Sequence, residues 1–162
     1  MNLYIKQKVF SLKDKFNVYD VQGNNLFYVE SELLTVGKKL HVYDNNGNEV
    51  AYIHQKVLSF LPRYFFGMNG TDIAEVKKKL TLFSQKYDIN GLDWTVDGDY
   101  FAHEYVIRHN YKNVAIISKK WLTWGDTYEI CVLDEWNTLP ALCVVLIIDA
   151  VISNNRQTPF NF

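Results

Sequence analysis

The feature that most constrains this chain is an apolar run near its C-terminus, residues 139–152, with the sequence LPALCVVLIIDAVI. Apart from Asp149, which comes late in the run, its residues are apolar. A helix formed here therefore has no polar face and must be buried on all sides, in protein or in lipid. Fourteen residues span about 21 Å as a helix, less than the ~30 Å hydrocarbon core of a bilayer. A carboxylate in lipid is also costly. We therefore predict a helix at about residues 138–153 that is buried in protein.

The residues that flank this run favour a helix over a central strand, which Val, Ile and Leu could also form. Asn137 or Thr138 can cap the N-terminus, and Pro140 is tolerated in the first turn. Asn154 and Asn155 offer a place for the helix to end.

Before residue 135 the chain reads as short extended runs separated by turn residues. Several runs alternate, as in Phe16 and Val18 on one face with Asn17 on the other, which is typical of half-buried strands. The high aromatic content of 15% also suits a sheet. The runs are residues 4–10, 16–20, 26–30, 40–44, 50–57, 64–68, 73–79, 105–109, 114–119 and 128–133, with weaker candidates near Tyr87 and Trp94. About ten to twelve strands at this spacing predict a sandwich or a barrel. A closed antiparallel barrel would enclose the helix and leave no exposed sheet edge.

The length of 162 residues predicts one domain, residues 1–162, with strands over about residues 3–134. The formal charge of −1 gives no overall attraction to nucleic acid. Cys131 and Cys143 lie in apolar runs, which favours buried free thiols over a disulfide. The N-terminus lacks the pattern of a signal peptide, so a cytoplasmic protein, in solution or associated with a membrane, is the expectation.

A short internal repeat lies in the first third of the chain, where residues 18–28 align with residues 42–52. Each unit reads as a strand, an Asp-x-x-Gly turn and a second strand, which predicts a hairpin. Duplication of one hairpin and the general likeness of hairpins both explain the pattern. The matched residues are Val18, Tyr19, Asp20, Gly23, Asn24 and Tyr28 in the first unit, and Val42, Tyr43, Asp44, Gly47, Asn48 and Tyr52 in the second.

Three motifs carry a resemblance to a known family. They are VYDNNG at residues 42–47 leading into VAYIHQK at 50–56, residues 114–120 leading into WLTWGDTY at 121–128, and the apolar stretch that ends at Asp149. In content and order they resemble the LURP-one-related family, which belongs to the tubby-like superfamily with the phospholipid scramblases. The resemblance implies a twelve-stranded barrel with a hydrophobic C-terminal helix through its centre.

The resemblance implies a fold more securely than an activity. Tubby-like relatives bind phosphoinositide headgroups through basic residues on the barrel exterior. Scramblase-like relatives carry an acidic segment before the terminal helix that is proposed to bind calcium. Here the nearby acids lack the glycine turn and ligand spacing of an EF-hand loop, so we predict no metal site and no cofactor. Those acids are Asp126, Glu129, Asp134 and Glu135.

Catalytic motifs are missing from the sequence, which contains no GxSxG, P-loop or GxGxxG pattern. The histidines His41, His54, His103 and His109 show no HxH or HExxH spacing. His103 and His109 would share a face if one strand ran through both. We therefore predict no catalytic residues, and an enzyme site around His103, His109 and Asp126 remains an alternative.

Lysine clusters are the candidate binding residues. On a strand, Lys77 and Lys79 share one face and Lys78 takes the other, which suits either a solvated edge or a phosphate contact. The candidate contacts for an anionic headgroup or phosphate are Lys77, Lys79, Lys119 and Lys120. Two further residues either clamp a barrel end over the helix or act as interface aromatics. These are Trp121 and Trp124.

Together, these features predict a non-enzymatic binding or scaffold module without a transmembrane span. Its expected partner is an anionic phospholipid surface or a protein, met through the barrel exterior. One alternative is a carrier that holds an apolar ligand in the barrel interior, as large barrels can. The other is an enzyme with a site at the barrel mouth.

Overall fold

A computed structural model of the chain describes residues 1–6, 15–80, 85–122 and 125–157. It consists of twelve strands followed by a short 3₁₀ helix, Glu135–Asn137, and one α-helix, α1, Thr138–Gln157. The strands are β1 Asn2–Lys6, β2 Phe16–Tyr19, β3 Asn25–Ser31, β4 Lys39–Tyr43, β5 Glu49–Gln55, β6 Arg63–Met68, β7 Thr71–Leu80, β8 Gln85–Asn90, β9 Trp94–Asp99, β10 Glu104–His109, β11 Lys112–Leu122 and β12 Gly125–Val132.

The strands form one closed antiparallel barrel in sequential order. β1 closes it by pairing with β12, where Leu3 lies opposite Ile130. The predicted fold class is therefore confirmed, and the weaker candidates near Tyr87 and Trp94 are both strands. Residues 7–10 of the first predicted run lie outside the described residues, as β1 is described only to Lys6.

The predicted repeat forms two hairpins with the same turn chemistry. In the first, the Asp20 carboxylate accepts hydrogen bonds from the backbone N–H and side-chain amide of Asn24, both at 2.8 Å. In the second, Asp44 accepts the same pair of bonds from Asn48, at 2.9 and 3.0 Å. The glycine of each turn has a positive φ, 87° at Gly23 and 80° at Gly47, a conformation that glycine adopts without a steric cost.

Helix α1 runs through the barrel and forms its core. All residues from Ala141 to Ile148 are fully buried, and they form one apolar cluster with the inward side chains of the strands. Strands alternate accordingly: Tyr64 and Phe66 on β6 point inward, and the residue between them points outward. Because α1 occupies the barrel interior, the structure disfavours the predicted alternative of an apolar-ligand carrier.

The predicted C-terminal end of this helix was wrong, and so was Thr138 as one of the two predicted caps. α1 continues past the predicted stop at Asn154 and Asn155 and ends at Gln157. At its N-terminus Thr138 is already helical, with φ −59° and ψ −54°, so it is not the cap. Asn137 belongs to the preceding 3₁₀ helix, whose N-cap Asp134 accepts from the Trp136 N–H at 3.2 Å. By length and composition Glu135–Asn154 could cross a membrane, but 78% of its apolar window is buried inside the protein. The length argument made from the sequence therefore does not distinguish this helix from a membrane span, but its enclosure by the barrel does.

Because all neighbouring strands are antiparallel, the connections fall at two ends of the barrel. The connections after odd-numbered strands, such as residues 32–38, 56–62 and 100–103, form what we name the loop end. Those after even-numbered strands, such as residues 44–48 and 110–111, form the turn end. α1 starts after β12 at the turn end and finishes at the loop end, where Asn154 donates to the Tyr64 hydroxyl at 3.4 Å.

Candidate functional site

Exposed apolar side chains cluster at the loop end. They lie on two neighbouring connections, residues 32–38 and 56–62, which we name the apolar loops. Soluble proteins rarely expose large apolar patches unless these bind something. Leu34 and Leu58 are fully exposed and Phe60 is 95% exposed. The exposed apolar residues of these loops are Leu33, Leu34, Val36, Val57, Leu58 and Phe60.

Basic residues concentrate in the same half of the barrel. Strand direction places the end of β7 and the end of β11 at the loop end, together with the starts of β4 and β6. Most of the lysines that the structure describes therefore lie in the half of the barrel that carries the apolar loops. The basic residues of this half are Lys6, Lys15, Lys38, Lys39, Lys56, Arg63, Lys77, Lys78, Lys79, Lys86, Lys119 and Lys120. Carboxylates described on the wall and loops of this half are fewer, and they are Glu30, Glu32, Asp88, Asp97, Asp99 and Glu104. The Asp149 carboxylate is buried at the same end.

The turn end has the opposite charge. Arg108 and Lys112 are its basic residues within the described part of the chain. Apolar side chains are exposed there too, namely Met1, Val21, Tyr111, Leu133 and Trp136. Trp136 directly follows two acidic residues, Asp134 and Glu135. The acidic residues of this half are Asp20, Asp44, Glu49, Asp72, Asp93, Asp134 and Glu135. Glu75 and Glu129 lie near the middle of their strands and pair with Arg63 and Lys120 of the other half. The barrel is thus polarised along its axis, with an excess of basic residues at the loop end and of acidic residues at the turn end.

The predicted lysines Lys77 and Lys79 point outward from β7, as the strand alternation requires. Lys79 forms an ion pair with Asp88 on β8. Lys78 takes the inward side, where Ala74 and Val76 are buried, and burial lowers the pKa of its ammonium group. Exposed ion pairs are worth about 1 kcal/mol or less, so such a pair leaves a lysine available to an anionic ligand.

The second predicted lysine pair lies on β11, well separated from β7 around the barrel. The Lys119 N–H donates to Glu104 at 2.9 Å, and Lys120 pairs with Glu129 at 3.2 Å. The two lysine pairs therefore share the loop end, but they form no single patch on the barrel wall. Trp124 lies outside the described residues, and Trp121 is described only as a backbone position of β11, opposite Asp126.

A second polar cluster is buried inside the barrel near the end of α1. The Asp149 carboxylate, 3% exposed, accepts a short hydrogen bond from the Tyr128 hydroxyl and lies 3.1 Å from His103 Nε2. The His103 ring stacks on Tyr128 with centroids 4.2 Å apart. Burial, and then the Asp149 charge, raises the pKa of Tyr128 well above its usual value, so its hydroxyl stays protonated and donates. His103 itself has a positive φ of 55°, in the connection between β9 and β10.

Two further tyrosines surround this carboxylate. Tyr105 and Tyr87 are buried, and burial together with the Asp149 charge raises the pKa of both hydroxyls. Neither hydroxyl has a hydrogen-bond partner among the described residues, and the same holds for Nδ1 of His103. Buried hydroxyls without partners cost stability, which makes this cluster sensitive to any further loss of a partner.

The structure separates the two histidines of the enzyme site that the sequence left as an alternative. His109 ends β10 at the turn end, whereas His103 lies before β10 at the loop end, so no strand face unites them. Glu129 accepts from Tyr4 at 2.6 Å and from Asn2 at 2.9 Å on the barrel wall, and Asp134 caps the 3₁₀ helix. The side chain of Asp126 lies outside the described part. No three His, Cys, Asp or Glu side chains group as metal ligands among the described residues.

The remaining predicted groups serve the barrel wall. His41 bridges two carboxylates, with Nδ1 2.6 Å from Glu49 and Nε2 2.8 Å from Glu32. Burial lowers the pKa of His41, but the hydrogen bonds to these two carboxylates raise it by more, so the net shift is upward. Both cysteines are free, as predicted; Cys143 is buried, whereas Cys131 is only half-buried because it points outward from β12.

The apolar loops were missed by the sequence interpretation. The feature of the sequence that points to these loops is the internal repeat, which continues beyond the two hairpins in the same alignment. It pairs Leu34 with Leu58 and Val36 with Phe60. A loop that keeps apolar residues at matched positions in two units departs from the usual polar connection.

Asp149 was recognised in the helix, but nothing in the sequence connected it to His103 or Tyr128.

Comparison with known proteins adds a family and a fold. The sequence profile of the LURP-one-related family matches residues 1–149. The uncharacterized protein YxjI of Bacillus subtilis (strain 168) is 36% identical over 157 residues, which cover 97% of each chain. A crystal structure of an Arabidopsis thaliana protein matches with a TM-score of 0.61 at 16% identity, covering 97% of this chain and 91% of that one. At that identity the structural likeness supports the fold alone.

Proposed function

The chain belongs to the LURP-one-related family, and on that premise we propose that it is a non-enzymatic module that docks on an anionic phospholipid surface. The loop end of the barrel is the docking face, and the protein is cytoplasmic and associates with the membrane reversibly. The tubby-like relationship implied by the sequence motifs agrees with this proposal, although the residues that carry it here are those of this chain.

The observation that supports the proposal most is the charge polarity of the barrel. The loop end gathers the lysines, and the turn end gathers carboxylates. An anionic surface attracts the first and repels the second, so the field orients the molecule as it approaches. Each lysine near such a surface contributes about 1 kcal/mol. The overall charge of −1 hides this asymmetry.

The alternatives have less support. α1 occupies the barrel interior, which disfavours a carrier of apolar ligands, and the separation of His103 from His109 disfavours an enzyme built on them. A protein partner would also fit an exposed surface. The loop end favours a lipid surface because its exposed groups are mostly aliphatic side chains on projecting loops with lysines around them, and not a flat aromatic and arginine patch.

Co-sedimentation with liposomes tests the proposal. We expect binding to vesicles of phosphatidylcholine mixed with phosphatidylglycerol and little binding to phosphatidylcholine alone, with an affinity that falls as salt screens the charges. Lys77→Glu/Lys79→Glu should weaken binding at least about thirtyfold, since the loss of two lysines at about 1 kcal/mol each corresponds to that factor and the two new carboxylates are repelled by the anionic lipids. Lys112→Glu, at the turn end, is the control and should bind as the wild type does.

Two results would overturn the proposal. One is equal sedimentation with neutral and anionic vesicles. The other is equal weakening by the Lys77/Lys79 variant and the Lys112 variant, which would mean that the loop end is not the docking face. Circular dichroism and urea unfolding of each variant show that the barrel is intact before binding is compared.

A further inference from the structure

Beyond electrostatic docking, and resting on the proposed function, we propose that the two apolar loops insert into the membrane. Leu34 and Leu58 form the tips of this two-pronged anchor, and Phe60 and Val36 lie beside them. The occupant of this surface is the outer acyl region of an anionic bilayer.

The two apolar loops share the same closing hydrogen bond at matched positions of the repeat. Each is closed by a backbone hydrogen bond: the Glu32 N–H donates to the Lys39 carbonyl at 3.1 Å, and the Lys56 N–H donates to the Arg63 carbonyl at 2.8 Å. Both bonds join residues seven apart, and the second bond lies at the positions that the repeat aligns with the first. The loops therefore extend the hairpin repeat, and matched positions in them can be compared directly.

The tips hold a conformation that leucine rarely adopts. Leu34 has a φ of 59° and Leu58 a φ of 62°, in the left-handed region that glycine and asparagine occupy more easily. Both side chains are fully exposed. A bulky apolar residue in this conformation costs folding energy and gains no burial in return. Such strain at the same place in two units points to a function rather than to packing.

The loops brace each other against the barrel. Lys38 N–H donates to the Gln55 side chain at 3.0 Å, and Gln55 N–H donates to the Lys38 carbonyl at 2.8 Å. Gly37 lies so close to Val57 that a Cβ added there would meet its Cγ2 at 3.0 Å. The two tips are therefore presented as one preformed unit, and insertion requires little ordering of the loops.

Charges at the base of each loop match an anionic membrane. Lys38 is the last residue of the first loop and Lys56 is the first residue of the second. Lys39 and Arg63 follow the two loops, and each forms an ion pair, Lys39 with Glu32 at 3.3 Å and Arg63 with Glu75 at 3.2 Å. Long basic side chains can bury their aliphatic stems and keep the charged group at headgroup level. Moving one leucine from water into an apolar region favours the bound state by about tenfold to hundredfold. Two tips therefore hold the protein on the membrane at salt concentrations that weaken the lysine contacts.

Leu34→Asn/Leu58→Asn is the variant that tests insertion. Asparagine removes the apolar tips and accepts the left-handed conformation, so folding stability should stay equal or rise. We expect binding to the mixed phosphatidylcholine and phosphatidylglycerol vesicles to weaken about a hundredfold or more. Val21→Asn, an exposed apolar residue at the turn end, is the matched control and should bind normally.

A fluorescent label reports the depth. An environment-sensitive dye on Leu58→Cys or Leu34→Cys, in a Cys131→Ser background, should shift to the blue on vesicles and be quenched by nitroxides on the acyl chains. The same dye on Tyr111→Cys, fully exposed at the turn end, should show neither effect.

The outcomes separate the two proposals. If the asparagine variant binds as the wild type does and the dyes stay in water, while Lys77→Glu/Lys79→Glu still weakens binding, insertion is overturned and electrostatic docking stands. If the wild type does not bind anionic vesicles at all, both proposals are overturned. Loss of binding in the asparagine variant together with acyl-chain quenching supports insertion.

Discussion

Replacing Asp149 by alanine should destabilise the whole barrel, although the change removes only a few atoms from the helix. The carboxylate is 3% exposed and accepts from the Tyr128 hydroxyl and from His103 Nε2 at 3.1 Å. Without it, both donors stay buried and lose their partner, as the hydroxyls of Tyr87 and Tyr105 already have none among the described residues.

The expected loss follows from these contacts. A buried donor left without a partner costs about 1–3 kcal/mol, and breaking a buried charged contact costs about 3–5 kcal/mol in all. We expect Asp149→Ala to lower the free energy of unfolding by about 3–5 kcal/mol, a large part of the roughly 5–15 kcal/mol typical of a domain. Asp149→Asn keeps a carbonyl acceptor and should lose about 1–2 kcal/mol.

Urea unfolding followed by tryptophan fluorescence measures these differences, with midpoints compared at equal slope. A double-mutant cycle with His103→Asn, which suits the positive φ of that residue, should give a coupling of about 1–3 kcal/mol with Asp149→Ala. A loss below about 1 kcal/mol for Asp149→Ala, or additivity in the cycle, would refute the account of this cluster as an anchor between α1 and the barrel wall.

Three further predictions concern the wall, the helix and the thiol. The raised pKa of His41 means that its stabilising contribution is fully present below pH about 6.5 and is lost as the pH rises through its folded-state pKa. The stability difference between wild type and His41→Gln, measured by urea unfolding from mildly acidic to mildly alkaline pH, should therefore shrink with rising pH; a constant difference would contradict this. A chain that ends before Leu139 lacks the core helix and should be insoluble on expression, and a soluble truncation that unfolds cooperatively would show that the barrel does not need it. Burial raises the pKa of the Cys143 thiol, so it should react with a thiol reagent only after denaturation, in contrast to a surface cysteine introduced at Tyr111; fast reaction in the native state, assigned by mass spectrometry, would be the contrary result.

The sequence predicted those parts of the fold that depend on neighbouring residues. Alternation along the chain marked the strands, because side chains on a strand point to opposite sides at a period of two. The Asp-x-x-Gly turns predicted hairpins whose bonds stay within four residues, as Asp20 with Asn24 shows. Apolar composition predicted that residues 139–152 are buried. Helix ends were harder, because Asn154 and Asn155 stop a helix only where nothing favours its continuation.

How distant segments meet depends on the tertiary structure. His103 and Asp149 are 46 residues apart in the chain, and no local pattern connects them. Closure of the barrel brings the ends of every second strand to the same end, and this places Lys77, Lys79, Lys119 and Lys120 at the end that carries the apolar loops. Strands, hairpins and a buried helix follow from the sequence, since periodicity and composition act locally, whereas closure joins β1 to β12 at opposite ends of the strand order. The polarity of its two ends depends on strand direction around the whole barrel, which no single segment encodes.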